Sequence, residues 1–207
     1  MVIGIAFGRT LKGPPAIVVR LRMYKQGIAI VATAFTVLTL FCSVAFADQG
    51  EELVTAAGEG DLKEVQDLLD KRADVNARDD NGVTALMMAS VMGHSDVVKL
   101  LLEKSSDVNA KAGNGSSALI MASAMGHTGV VKLLLEKRAD VDAKDYNGVT
   151  SLMVASHEGH IDIVKLLLEK KADVNARSKD GDTALMAASE KGHTKILELL
   201  QAQGAKK

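Results

Sequence analysis

The chain has 207 residues, of which 25 are Lys or Arg and 26 are Asp or Glu. Five of the basic residues and none of the acidic ones lie in residues 1–47, so residues 48–207 carry a net charge of −6. Residues 48–207 contain no Cys or Pro and one aromatic side chain, Tyr146. This composition excludes a disulfide scaffold, a thiolate metal site and a cysteine nucleophile from that part of the chain, and it argues against nucleic-acid binding.

The first 47 residues have the three parts of a secretory signal peptide. Basic residues up to Lys25 precede an uncharged and mainly apolar stretch, residues 27–47. That stretch ends in small residues, Ala45 and Ala47, at the positions that a signal peptidase requires. We therefore predict cleavage between Ala47 and Asp48 and a mature protein that is periplasmic or secreted.

Two alternatives remain open for this segment. Translation from Met23 would give a signal peptide of more ordinary length. Residues 27–47 could instead stay in place as a membrane anchor, because about 20 apolar residues span a bilayer as a helix. The protein would contact a membrane only in this second case, and its remainder would lie outside the cytoplasm in both.

The rest of the chain repeats with a period of 33 residues. Gly-His dipeptides mark the period, and Asp-Val-Asn-Ala or Asp-Val-Asp-Ala segments recur with the same spacing. The dipeptides are Gly93-His94, Gly126-His127, Gly159-His160 and Gly192-His193. A fixed period of this length is typical of stacked repeat architectures. The units lie at about 48–78, 79–111, 112–144, 145–177 and 178–207, the first of them degenerate.

Each unit predicts a turn, a short inner helix, a tight loop and an outer helix. In the second unit, Gly82 suits a turn that requires positive φ, and Thr84 is placed to cap the inner helix. Gly93 ends that helix, and His94 precedes the outer helix, where we expect it to make a local capping hydrogen bond. Helices of this length are marginal alone, so neighbouring units must stabilise them.

These motifs identify the chain as a member of the ankyrin repeat family, whose pattern matches four times in register. The resemblance implies an all-α solenoid of helix-turn-helix units with β-hairpin-like turns, five units including polar caps. It also suggests an exported bacterial member. The chain departs from the family's Thr-Pro-Leu-His motif, where Ala85 and Met87 stand in the second unit. The methionines at helix-core spacing are predicted to pack in the core; they are Met87, Met88, Met121, Met153 and Met186.

The sequence offers little support for catalysis. The four Gly-His histidines recur once per unit and would form a row, whereas metal ligands must converge on one point. His157 and His160 form the only close pair, without the i, i+4 spacing of a metalloprotease helix. We therefore predict a non-enzymatic protein without a cofactor or metal, and a small hydrolase or metal binder that uses His157 is the remote alternative.

The resemblance implies that the protein binds a partner protein through its concave face, formed by the hairpin tips and the exposed face of the inner helices. It is expected to be a monomer with an unidentified protein partner, and the resemblance allows an immunity or chaperone-like role. A membrane-tethered scaffold is the alternative if the N-terminal segment is retained. The candidate binding residues are Asp80, Asn81, Val83, Met92, Asn114, Met125, Tyr146, Val149, His157, Glu158, Lys179 and Asp182.

Overall fold

The computed structural model describes residues 49–206; the predicted signal peptide and its cleavage site lie outside these residues. Within them, ten α-helices form five consecutive pairs without a β-strand, and none of the ten has the length and apolar character needed to cross a bilayer. The helices are residues 49–59 (α1), Leu62–Asp70 (α2), Ala85–Met92 (α3), Ser95–Glu103 (α4), Ala118–Met125 (α5), Thr128–Glu136 (α6), Ser151–Glu158 (α7), Ile161–Glu169 (α8), Ala184–Lys191 (α9) and Thr194–Ala202 (α10).

The inner helices of the four full units begin and end as predicted. The Thr84 hydroxyl accepts a hydrogen bond from the Met87 N–H at 3.4 Å, and Ser117, Thr150 and Thr183 cap their helices in the same way. At the other end, Gly93 adopts a φ of +80°, which only glycine enters without strain. These two residue types fix a short helix between the hairpin and the next loop.

Along the array, inner helices pack against inner helices and outer helices pack against outer helices. The inner helices α3, α5, α7 and α9 pack in order against one another, and α4, α6, α8 and α10 follow beside them. One continuous hydrophobic core results, to which α4 contributes four buried side chains, Val97, Val98, Leu101 and Leu102. The predicted all-α helical array of five units is confirmed.

The Gly-His residues link neighbouring units, which corrects one expectation. His94 makes no capping bond to its own helix α4; its Nε2–H instead donates to the Gly58 carbonyl of the preceding unit, at 3.0 Å. The bond recurs at 2.8, 3.1 and 2.9 Å from His127, His160 and His193. Local capping was expected because Asp61 stands at this position in the first unit, where it does cap α2. The longer imidazole reaches an unpaired carbonyl at the end of the previous inner helix instead.

The hairpins are also joined from unit to unit. The Gly113 N–H donates to the Asn81 carbonyl at 2.8 Å, and the Tyr146 N–H donates to the Asn114 carbonyl at 3.1 Å. The Lys179 N–H makes the same bond to the Asn147 carbonyl at 2.8 Å. Consecutive hairpin tips therefore touch, and they present a continuous surface to solvent.

The methionines do not all pack in the core. Met87 and Met153 are buried as predicted, whereas Met88 and Met121 are half-buried and Met186 is 46% exposed. The core prediction is wrong for Met186, because among the described residues no further inner helix packs against that side of α9.

Candidate functional site

We call the surface formed by the hairpin tips and the C-terminal ends of the inner helices the tip face. None of the twelve candidate binding residues is buried. Val83, Val149 and His157 are half-buried, and the other nine are exposed: Asp80, Asn81, Met92, Asn114, Met125, Tyr146, Glu158, Lys179 and Asp182.

The middle of the tip face is apolar. Met92 and Met125 end the neighbouring helices α3 and α5 and are 53% and 55% exposed, and Tyr146 at the next hairpin is 60% exposed. The Tyr146 ring lies against Gly115 of the preceding hairpin, where a Cβ atom would come within 2.6 Å of the ring. Glycine at this position therefore lets the aromatic ring rest on the hairpin. We call Met92, Met125 and Tyr146 the apolar patch.

Two grooves lie along the tip face, one at each end of it. The first, of about 540 Å³, runs between the second and third hairpins and is bordered by Asp80, Val83 and Asn114, with Met121 at its base. The second, of about 280 Å³, lies between the fourth and fifth units; we call it the acidic groove. It brings together Val149, His157, Glu158 and Asp182 of the candidate residues with others, namely Ala124, Asn147, Met153, Val154, Ser178, Asp180, Thr183 and Ala187.

One carboxylate of the acidic groove is held in its ionised form. The Nδ1–H of His157 donates to the Glu158 Oε1 at 2.7 Å. This hydrogen bond lowers the pKa of the Glu158 carboxyl below its ordinary value, and electrostatic interactions with the His157 and His160 imidazoles and the Lys191 ammonium act in the same direction. Glu158 therefore contributes a full negative charge to the groove at neutral pH.

Comparison with known proteins identifies the architecture. The family model for ankyrin repeats (three copies) matches residues 53–145 and 141–207. The chain belongs to the ankyrin repeat family. Ankyrin repeats are helical interaction modules that generally mediate protein–protein contacts. No curated protein matches the chain.

The ankyrin array does not gather its histidines into a site. His160 is occupied by its bond to the Ala124 carbonyl, and His157 by its bond to Glu158. Within residues 49–206, no group of three or more His, Cys, Asp or Glu side chains could hold a metal ion. The metal-binding and hydrolase alternative gains no support from this geometry.

Sequence reasoning missed the floor of both grooves. Met121 and Met153 were assigned to the core, yet each also borders a groove on the tip face. Both stand at helix-core spacing, so periodicity alone could not reveal that the neighbouring hairpins leave part of each side chain open to a groove. The position of Asp180 in the repeat, equivalent to Asn81, was the available signal for the acidic groove.

Proposed function

We propose that this ankyrin array is a non-enzymatic protein-binding module whose partner docks on the tip face. The observation that carries the proposal is the apolar patch, three large side chains each more than half exposed on consecutive units. Exposed Met and Tyr surrounded by polar residues are typical of the centre of a protein interface. Such side chains gain free energy when a partner removes them from water.

The opposite face of the array supports the same assignment. The outer helices expose mainly charged side chains, such as Lys99 and Glu103 on α4 and Lys132 and Glu136 on α6. Pairs of opposite charge four residues apart are common on solvated helix surfaces and stabilise them by about 0.2–0.5 kcal/mol. Leu62 on α2 is the exception among the large apolar residues of the outer helices. It provides a matched control for an experiment.

Site-specific photo-crosslinking in the native host tests the tip face. A benzoylphenylalanine in place of Tyr146 is expected to give a discrete adduct with one protein, and the same group in place of Leu62 is not. Adding Met125→Ser to the first variant should reduce the adduct at least about tenfold, because removal of an interface anchor costs about 2 kcal/mol or more. Identical adducts from both positions, or none from position 146, would contradict the proposal.

We further propose that the module acts after export from a bacterial cytoplasm, in the periplasm or the medium. Support comes from the sequence of residues 1–47, with its basic start, apolar middle and Ala45-Phe46-Ala47 end. An immunity or chaperone-like role, in which the array holds an exported enzyme, agrees with this location and with a surface built for binding.

The mass of the mature chain tests the export step. We expect a polypeptide that begins at Asp48 in the envelope or culture fluid, and Ala47→Pro should prevent its formation. A membrane-bound chain that retains residues 27–47 would show instead that the array is a tethered scaffold.

A further inference from the structure

The acidic groove combines an apolar floor with a negatively charged rim. Its floor is formed by Val149, Val154 and Met153, together with two alanines. Its charged lining consists of Glu158, Asp180 and Asp182, and none of the described residues that line it is a lysine or arginine. The groove therefore offers apolar contact and three carboxylates within one small space, and only one of them, Glu158, is paired inside the array.

Two of the three rim carboxylates, those of Asp180 and Asp182, have no internal partner among the described residues. Neither Asp180 nor Asp182 makes a side-chain hydrogen bond or ion pair with any residue in 49–206, and Glu158 pairs only with His157. The closest lysines in sequence, Lys179 and Lys191, are exposed and do not line the groove, although the charge of Lys191 contributes to the lowered pKa of Glu158. Like charges placed near each other attract a cation from outside the array.

The size and spread of the rim indicate what kind of cation fits. The three carboxylates do not converge to a metal-binding geometry. At about 280 Å³ the groove is also slightly smaller than the roughly 300–1,000 Å³ typical of sites for whole small molecules. A single long side chain matches both limits. Lys and Arg bury an aliphatic stem on apolar surface and keep the charged group at a polar edge, which is the arrangement of floor and rim here.

We propose that the acidic groove receives one lysine or arginine side chain from the partner protein. The inference rests on the proposed function, since it assigns chemistry to a segment of the partner that crosses the tip face. The stem packs on Val149 and Val154, and the ammonium or guanidinium group pairs with Asp180, Asp182 and Glu158. The apolar patch and the acidic groove then contact different parts of one partner.

Nuclear magnetic resonance titration of the purified full chain tests this directly. N-acetyl-arginine methylamide and the lysine derivative, at constant ionic strength, are expected to give saturable shifts at the amides of Val149, Asp180 and Asp182. The citrulline derivative, which has nearly the same shape without the charge, should shift them at least about threefold less at equal concentration. Absence of saturable shifts at these amides, or equal binding of citrulline, would overturn the proposal.

Two variants sharpen the test. Asp180→Asn combined with Asp182→Asn should weaken binding of the arginine probe by about three- to tenfold, in line with about 0.2–1 kcal/mol for each exposed ion pair. Asp80→Asn, which removes a carboxylate from the second hairpin, is expected to leave it unchanged. Equal effects of both changes would show a diffuse charge effect and contradict the groove.

Failure of this inference can be told apart from failure of the proposed function. The chain with Asp180→Asn and Asp182→Asn gives two results, its partner adduct from benzoylphenylalanine at position 146 and its affinity for the arginine probe. If the adduct is kept and the affinity equals that of the unmodified chain, the tip face binds protein but the groove takes no basic side chain. If position 146 gives no adduct at all, the proposed function itself is wrong.

Discussion

The fourth and fifth units of the array share one sequence pattern, but within residues 49–206 only the fourth has another unit packed on its C-terminal side. In the fourth, Met153 is buried, and a Cβ on Gly159 would lie 2.7 Å from the His193 ring of the next unit. In the fifth, Met186 is exposed, and a Cβ on Gly192 would meet nothing within 4 Å. Methionine and glycine at equivalent positions thus lie against a neighbouring unit in the fourth unit, and they have almost no such contacts in the fifth.

This difference shows where the stability of the array resides. Helix α8 buries Ile163, Val164 and Leu167, whereas α10 of the last unit buries only Ile196 and Leu200. In repeat proteins, stability is approximately a sum of unit terms and nearest-neighbour interface terms. Paired substitutions at equivalent positions in an internal unit and in the last unit therefore separate the interface contribution from the local one.

The largest effect is expected at Gly126, the glycine before His127. Gly126 and Gly192 have φ values of +79° and +74°, so alanine is strained at both, by about 1–2 kcal/mol. At Gly126 alone, the new Cβ would also lie 2.6 Å from the His160 ring, and overpacking of this kind costs about 1–3 kcal/mol more. Gly126→Ala should lower the free energy of unfolding by about 2–5 kcal/mol and Gly192→Ala by about 1–2 kcal/mol, measured by guanidinium denaturation. Equal losses would show that the histidine moves aside freely.

The methionine pair should give the next largest difference. Met153→Ala removes a buried side chain between two inner helices, for which about 2–5 kcal/mol is typical, and we expect the lower half of that range because Met153 borders the acidic groove. Met186→Ala should cost less than about 1 kcal/mol, since its side chain is half exposed. The denaturation midpoints of the two variants compare them. A similar loss at Met186 would mean that another element covers the last unit.

The fold was predictable from the sequence because each unit repeats the signals that define it. Thr84 and Gly93 mark both ends of one helix by capping chemistry that depends on local sequence alone, and the 33-residue period places the next helix beside it. The polar character of the fifth unit is also visible in the sequence, since Gln201 stands where the middle units have leucine, and its side chain is exposed.

The features that could not be predicted depend on contacts between units. The partner of His94 is a carbonyl 36 residues earlier, and no local pattern distinguishes this bond from a capping bond. The acidic groove likewise requires Asp182 of one hairpin to face the helix end of the preceding unit that carries Glu158. Sequence reasoning placed both residues on the binding surface, but only the structure brings them into one groove.

The histidine row provides a case in which the last unit should resemble the others. The imidazole reaches back to the preceding unit, so the Nε2 of His193 bonds the His157 carbonyl at 2.9 Å much as His127 bonds that of Val91 at 2.8 Å. Removing one partner of a part-buried hydrogen bond costs about 1–2 kcal/mol. His127→Ala and His193→Ala should therefore destabilise the protein by similar amounts in thermal denaturation. A much smaller loss at His193 would indicate that the terminal unit frays and that the bond is made only part of the time.

The smallest predicted effect is a gain in stability. Ser123 on α5 is fully buried, and its hydroxyl has no hydrogen-bond partner within residues 49–206, whereas the equivalent Ser189 on α9 is exposed to water. Serine to alanine raises helix propensity by about 0.5 kcal/mol at either position, so this gain cancels in the comparison. A buried hydroxyl without a partner carries a further desolvation cost of about 1 kcal/mol, which only Ser123→Ala removes. Ser123→Ala should thus raise the free energy of unfolding by about 1 kcal/mol more than Ser189→Ala does, as measured by guanidinium denaturation. If instead Ser123→Ala is the less stable of the two variants, the Ser123 hydroxyl makes packing contacts at the interface between the third and fourth units. Those contacts would then contribute more free energy than the desolvation of the hydroxyl costs.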